Sequence, residues 1–203
     1  MRQRTATPIR FTATVSLIDS SVIVRLPDDA SACLPSRGQV AVQGSIDDHN
    51  LRTVLEPDGL RGHWIKVDEA LLGAVGVGDV VDVVVSPIPD WPEPDVPADL
   101  SAALKAAPQK IRDIWSDITP MARWEWVRWI NATANPATRQ RRVEVSIAKM
   151  DSGKRRPCCF DLSACTDPDL SRNQLLGPIA SVGATSNYYG YYGWSSQLSW
   201  HRP

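Results

Sequence analysis

A chain of 203 residues, 43% hydrophobic and 22% charged, is long enough for one large or two small cores, and that composition excludes a disordered or fibrous protein. The formal net charge of −1 excludes a uniformly basic or acidic molecule but hides an asymmetry: residues 1–98 carry 8 basic and 14 acidic side chains, residues 99–203 carry 14 and 9. Opposite charges on two halves point to two domains that attract each other, or to a basic half that meets an anionic partner. The opening MRQRTATPIR is basic, yet the apolar stretch of about 7–15 residues that a secretory signal needs does not follow. No run approaches the roughly 18 apolar residues of a spanning helix, so a cytoplasmic protein is the expectation. The four cysteines, Cys33, Cys158, Cys159 and Cys165, are too few and too unevenly placed for a disulfide framework and are expected as thiols.

The first half reads as strands. In residues 9–18, IRFTATVSLI, the side chains of Phe11, Ala13, Val15 and Leu17 share one face and those of Thr12, Thr14 and Ser16 the other, the period of two of a half-buried strand. Residues 22–26, 40–46, 51–55 and 64–67 are further β-rich runs, punctuated by Pro27-Asp28-Asp29, Asp47-Asp48-His49-Asn50 and Pro57-Asp58-Gly59. Gly76-Val77-Gly78-Asp79 then leads into VVDVVV, where glycine accepts a positive φ and the aspartate can hold backbone N–H groups. Six short strands with tight turns predict a small closed barrel over residues 1–86, since closure removes exposed edges.

Residues 86–97, SPIPDWPEPDVP, hold five prolines in twelve positions and exclude helix or central strand, which marks 87–97 as a linker. Four helices follow, opening at Pro97, Pro108, Thr119-Pro120 and Asn135-Pro136, with Gly153 a stop for the last. These make residues 98–165 a small all-α domain, and the fold class α+β. A unit of this size is marginal alone and is expected to pack on the barrel. Residues 166–203, ending in SNYYGYYGWSSQLSWHRP, lack helical or strand periodicity and read as a flexible tail.

The helix WEWVRWI and the following TANPATRQRR carry a recognisable pattern. Trp129, Ile130, Thr138, Arg139 and Arg142 resemble the signature of the YdeI/OmpD-associated family, Trp-Ile and, after a gap, Thr-Arg and a further Arg. Leu26-Pro27 ahead of a short polar turn of helix, and Gly44-Ser45-Ile46 ahead of the fourth strand, are similar to the small barrel domain of unknown function that commonly precedes such helical domains. The resemblance spans residues 9–165. It implies a role in envelope stress or in protection against bacteriocins and cationic antimicrobial peptides, through association with an envelope protein such as an outer-membrane porin.

Candidate binding residues lie on the last two helices. On a helical wheel Trp126, Val127, Trp129, Ile130 and Ala134 share a broad core side, while Trp124 falls near Arg128 and Asn131, facing solvent or the barrel. Trp124 and Trp129 are thus the aromatic candidates. Val143, Ile147 and Met150 form a core stripe on the next helix. Arg139, Arg141 and Arg142 there, with Lys154, Arg155 and Arg156 beyond it, make a candidate anion site; the alternative is a solvated face with ion pairs to the acidic barrel. No helix-turn-helix pattern, zinc-finger spacing or RNP-type sequence supports nucleic acid as the anion.

Cys158, Cys159 and Cys165 beside Arg155 and Arg156 are candidates for a redox role, set against plain packed thiols. Adjacent cysteines without a nearby histidine do not make a zinc set, so no metal and no cofactor is expected. The catalytic inventory is thin. Of the histidines, His49 sits in a turn, His63 precedes Trp64 on a strand and His201 lies near the end, and no nucleophile elbow, zincin, Walker A or dinucleotide fingerprint is present. Gly76-x-Gly78 opens a strand rather than a helix, and Asp47 with Asp48 suits a turn better than a carboxylate pair. Three readings follow: a noncatalytic member of the family it resembles, an anion-binding module for nucleic acid or nucleotide on the basic helix, and a small-molecule enzyme with its site between barrel and helices. Nothing in the sequence sets an oligomeric state.

Overall fold

The computed structural model describes residues 7–158 and 161–179. Strands β1 (Ile9–Ile18), β2 (Ser21–Arg25), β3 (Val40–Ile46), β4 (His49–Pro57), β5 (His63–Lys66) and β6 (Val80–Pro87) close an antiparallel barrel in the order β1-β2-β5-β4-β3-β6. Short helices α1 (Asp28–Ala32) and α2 (Glu69–Leu72) lie between β2 and β3 and between β5 and β6. Val15, Val24, Val42, Ile46, Leu55, Ile65 and Val85 fill the interior.

Turn chemistry sets the register. Asp47 takes φ +47° in the β3–β4 turn, its N–H donates to the Asp82 carbonyl at 2.7 Å, and its carboxylate accepts from Asp82 N–H at 2.8 Å. Gly78 has φ +98° and Asp79 accepts from Gly76 N–H at 2.7 Å, as the Gly-Asp step requires. At Gly44, paired with Val85, an added Cβ would lie 1.8 Å from the Val84 carbonyl oxygen, so only glycine lets β3 and β6 approach this closely.

Helices α3 (Ala98–Ala106), α4 (Gln109–Asp117), α5 (Pro120–Asn131) and α6 (Pro136–Asp151) form the second unit. Thr119 and Asn135 cap α5 and α6 by accepting from Ala122 and Thr138 N–H, with proline in the first turn of each. Pro97 and Pro108 instead occupy the cap positions themselves. Gly153, at φ +82°, follows the end of α6. Leu100, Ile111, Ile118, Trp126, Ile130 and Met150 make the core. Ala134 does not join it: α5 ends at Asn131, and Ala134 lies exposed in the turn.

Residues 166–179 differ from a structureless tail. Strands β7 (Ser171–Arg172) and β8 (Leu175–Leu176) form a hairpin whose turn residues Asn173 and Gln174 have φ +54° and +67°. Two-residue strands leave no periodicity to read. Leu170 and Cys165 pack with Ile18, Ile23 and Trp64 on the outside of the barrel, which is why the alternation of β1 gives way to burial at Ser16 and Ile18. Leu176 N–H donates to the Asp58 carbonyl at 2.8 Å, fixing the hairpin to the β4–β5 turn. The aromatic run from Tyr188 to Trp200 lies outside the described residues.

A candidate binding cleft between barrel and helices

Helix α5 has two working faces. Trp126 and Ile130 point into the helical core, whereas Trp124, Arg128 and Asn131, spaced at helical intervals, face the barrel, and Val127 between them belongs to the core and to the cleft wall. Opposite them stand Thr53, Val54 and Glu56 of β4 and Trp64 and Lys66 of β5. Asp95 of the linker and Thr166, Asp167 and Pro168 complete a cleft of about 330 Å³. That is at the lower end of the ~300–1,000 Å³ range of small-ligand sites.

Its floor is an ion pair across the junction. Arg128 Nε lies 3.1 Å from Glu56 Oε2, with the arginine side chain 5% and the glutamate 21% exposed. Arg128 Nη1 donates to the Leu162 carbonyl at 3.1 Å and Nη2 to that of Ala164 at 2.5 Å, so one guanidinium binds the barrel and the chain beyond α6 together. Glu56 Oε1 accepts from Gln39 Nε2. Burial pushes the Glu56 carboxyl above its ordinary value against the pull of Arg128, and burial lowers Arg128, which stays cationic at any working pH.

At the rim, Lys66 Nζ stands 3.6 Å from Asp167 Oδ2, a loose pair. Trp124 Nε1 donates to the Pro92 carbonyl at 2.7 Å, which anchors the half-buried indole beside the linker. Asn131 Oδ1 accepts from Arg139 Nη1 at 2.9 Å.

The basic candidates do not converge on one surface. Arg139 forks onto Asp99 at 2.6 and 3.1 Å, and that bond holds the Asp99 carboxyl below its usual range. Arg142 donates to the Trp129 carbonyl at 2.7 Å and stacks 5.6 Å from its ring centroid, and burial lowers its pKa. Arg155 pairs with Asp117 at 2.7 Å. Arg156 grips both oxygens of buried Glu125, and this bond raises the arginine pKa. Arg141 and Lys154 are exposed. The expected ion pairs to the acidic barrel are therefore replaced by pairs to Asp99, Asp117 and Glu125 of the helical unit itself; they sit one to three helices away in sequence, where folding of that unit alone brings them.

Trp129 is half-buried and meets Trp126 edge-on at 6.1 Å, away from the cleft. Cys165 is buried, and burial pushes its thiol up to about 11. Cys158 is exposed, with Lys149 Nζ at 2.5 Å from its sulfur, and Cys159 lies outside the described residues. Among the described residues no group of three His, Cys, Asp or Glu side chains is arranged to hold a metal ion. His49 begins β4, His63 is buried in the barrel wall, and His201 lies outside the described residues.

Sequence reading missed Glu56, Lys66, Asp95 and Asp167 as cleft residues. A carboxylate next to the buried run Val54-Leu55 was the available signal for Glu56; the other three depend on which strand ends meet which helix.

Residues 93–153 match the family described as bacteriocin-protection, YdeI or OmpD-associated, and residues 11–85 match a domain of unknown function (DUF1905). No curated protein matches the chain. The cleft takes one wall from each matched segment and a third from residues 166–168, outside both.

Proposed function

Because this chain belongs, through residues 93–153, to the YdeI/OmpD-associated family and carries the barrel domain of unknown function ahead of it, we propose that it is a noncatalytic binding protein of the cytoplasm that serves envelope stress or protection against bacteriocins and cationic antimicrobial peptides, with the junction cleft as its ligand or partner site. The observation that carries this reading is the cleft itself, built where the two matched domains meet and floored by Glu56 and Arg128. An envelope protein remains the partner implied by the family description, and no helix among the described residues is long and apolar enough to cross a membrane.

The test is survival of a deletion strain titrated with a cationic antimicrobial peptide. Complementation by the intact gene but not by Thr53→Trp, which fills the cleft, supports the reading. Loss of rescue in the Arg139, Arg141 and Arg142 to Ala variant alone, with Thr53→Trp fully active, moves the function to the basic helix and to an anionic ligand. No difference between deletion and parent removes the protective role.

A second reading has one observation in its favour. A carboxyl raised by burial at the floor of a cleft, as at Glu56, is suited to general acid–base work, so a small-molecule enzyme is the alternative. Loss of function in Glu56→Gln with ligand binding retained would favour it.

A further inference from the structure

The cleft is asymmetric in which of its charges are already satisfied. Arg128 spends its guanidinium on Glu56, Leu162 and Ala164. Lys66, the other cation, stands against Asp167. Asp95 is exposed at the rim, and among the described residues no basic side chain forms an ion pair with it. The lining therefore carries three carboxylates against two cations, with Arg128 committed, Lys66 loosely paired to Asp167 and one carboxylate open.

The apolar part of the lining points the same way. Trp124 lines the cleft with its N–H already bonded to the Pro92 carbonyl, so the indole has no free donor to offer an anion. The electron-rich face of an indole attracts a cation and repels an anion. Val127, Trp64 and Pro168 add apolar surface around it.

We propose that the cleft binds a monocationic amine or guanidinium attached to an apolar body, the charge lying between Asp95 and Asp167 and the body against Trp124. This rests on the cleft being the binding site and adds the chemical class of the ligand. An anion would face Asp95, Asp167 and an indole with no free N–H, with only Lys66, loosely paired to Asp167, to receive it. The same cationic group occurs on a free small amine and on a lysine or arginine side chain of a peptide.

The experiment is calorimetric titration of the full chain with phenethylamine, with its carboxylate counterpart 3-phenylpropionate, and with a short peptide carrying a single arginine. Binding of the amine or the peptide but not of the carboxylate is expected, and which of the two binds tighter separates a free amine from a peptide side chain. Asp95→Asn should weaken amine binding about three- to tenfold, the range of one partly screened charge. Lys66→Met should strengthen it by a similar factor, since it removes a like charge and releases Asp167; a gain in affinity is not a symptom of misfolding. Carboxylate binding without amine binding overturns the inference and leaves the cleft as a site. Amine binding indifferent to both substitutions also overturns it, placing the amine elsewhere. No binding by any probe overturns the inference, and if Thr53→Trp is also fully active in the survival assay, the cleft reading falls with it.

Discussion

Glu56 of the barrel and Arg128 of α5 meet at 3.1 Å across the junction, and the same arginine holds the carbonyls of Leu162 and Ala164. One side chain thus joins three stretches of chain that are far apart in sequence. Removing it should cost more than removing its partner's charge. Arg128→Met leaves a half-buried carboxylate without its counter-charge and two carbonyls without their donors, an expected loss of about 3 kcal/mol. Glu56→Gln keeps the shape and turns one of two acceptor oxygens into a donor, which the Gln39 amide can meet by turning over, and should cost about 1–2 kcal/mol. Urea denaturation of both variants checks the order; equal losses would mean that the pair carries no special weight.

Gly59 has φ +79°, and a Cβ there would lie 2.3 Å from the Gln174 carbonyl oxygen. Gly59→Ala should therefore lose about 1–2 kcal/mol for the left-handed backbone alone, plus a further term from pushing the hairpin away. In a chain ending at residue 165 only the backbone part should remain. Comparing the two losses by a double-mutant cycle isolates the docking of β7–β8, and a coupling near zero would show that the hairpin does not bear on this turn.

His63 is fully buried, its Nε2 lies 3.0 Å from the Gly38 carbonyl oxygen, and burial lowers its pKa. Asp58 and the Gly38 carbonyl favour its cation, while Arg37 opposes it. The unfolded chain then takes up the proton first. Stability is unaffected above the unfolded value of about 6.5 and declines as pH falls below it, by at most about 1.4 kcal/mol per pH unit. The difference in urea midpoint between wild type and His63→Gln, followed from pH 7.5 to about pH 5.5, should shrink on acidification. A constant difference would place the acid sensitivity in other groups.

Thiol reactivity should divide by position. Cys165 is buried with its thiol pushed up to about 11, whereas Cys33 is exposed. Peptide mapping after brief alkylation at pH 8 should find Cys33 modified and Cys165 protected, and Cys158 modified with Cys33. Early labelling of Cys165 would show that the chain between α6 and the hairpin opens readily.

The barrel and the four helices were legible because local signals agreed with the global fold. Period-two alternation in β1, the Gly76–Asp79 turn and the Thr119-Pro120 and Asn135-Pro136 caps each act within a few residues. The basic residues of α6 and of the stretch after it were legible as a run and not as partners: Asp99 and Glu125, which receive Arg139 and Arg156, are found only once α3, α5 and α6 pack. Trp124 with Arg128 and Asn131 could be placed on one face from spacing alone. What stands opposite them depends on how β4 and β5 close the barrel and where Asp167 comes to rest, and no local pattern encodes either.

The segment from Asp161 to Gly177 starts in the grip of an α5 arginine and ends on the β4–β5 turn, yet it lies beyond both family-matched stretches. Barrel and helices are then not interchangeable modules. Exchanging either for another domain of its kind would leave the third piece fitted to a surface no longer there, so in any chimera the three pieces have to travel together.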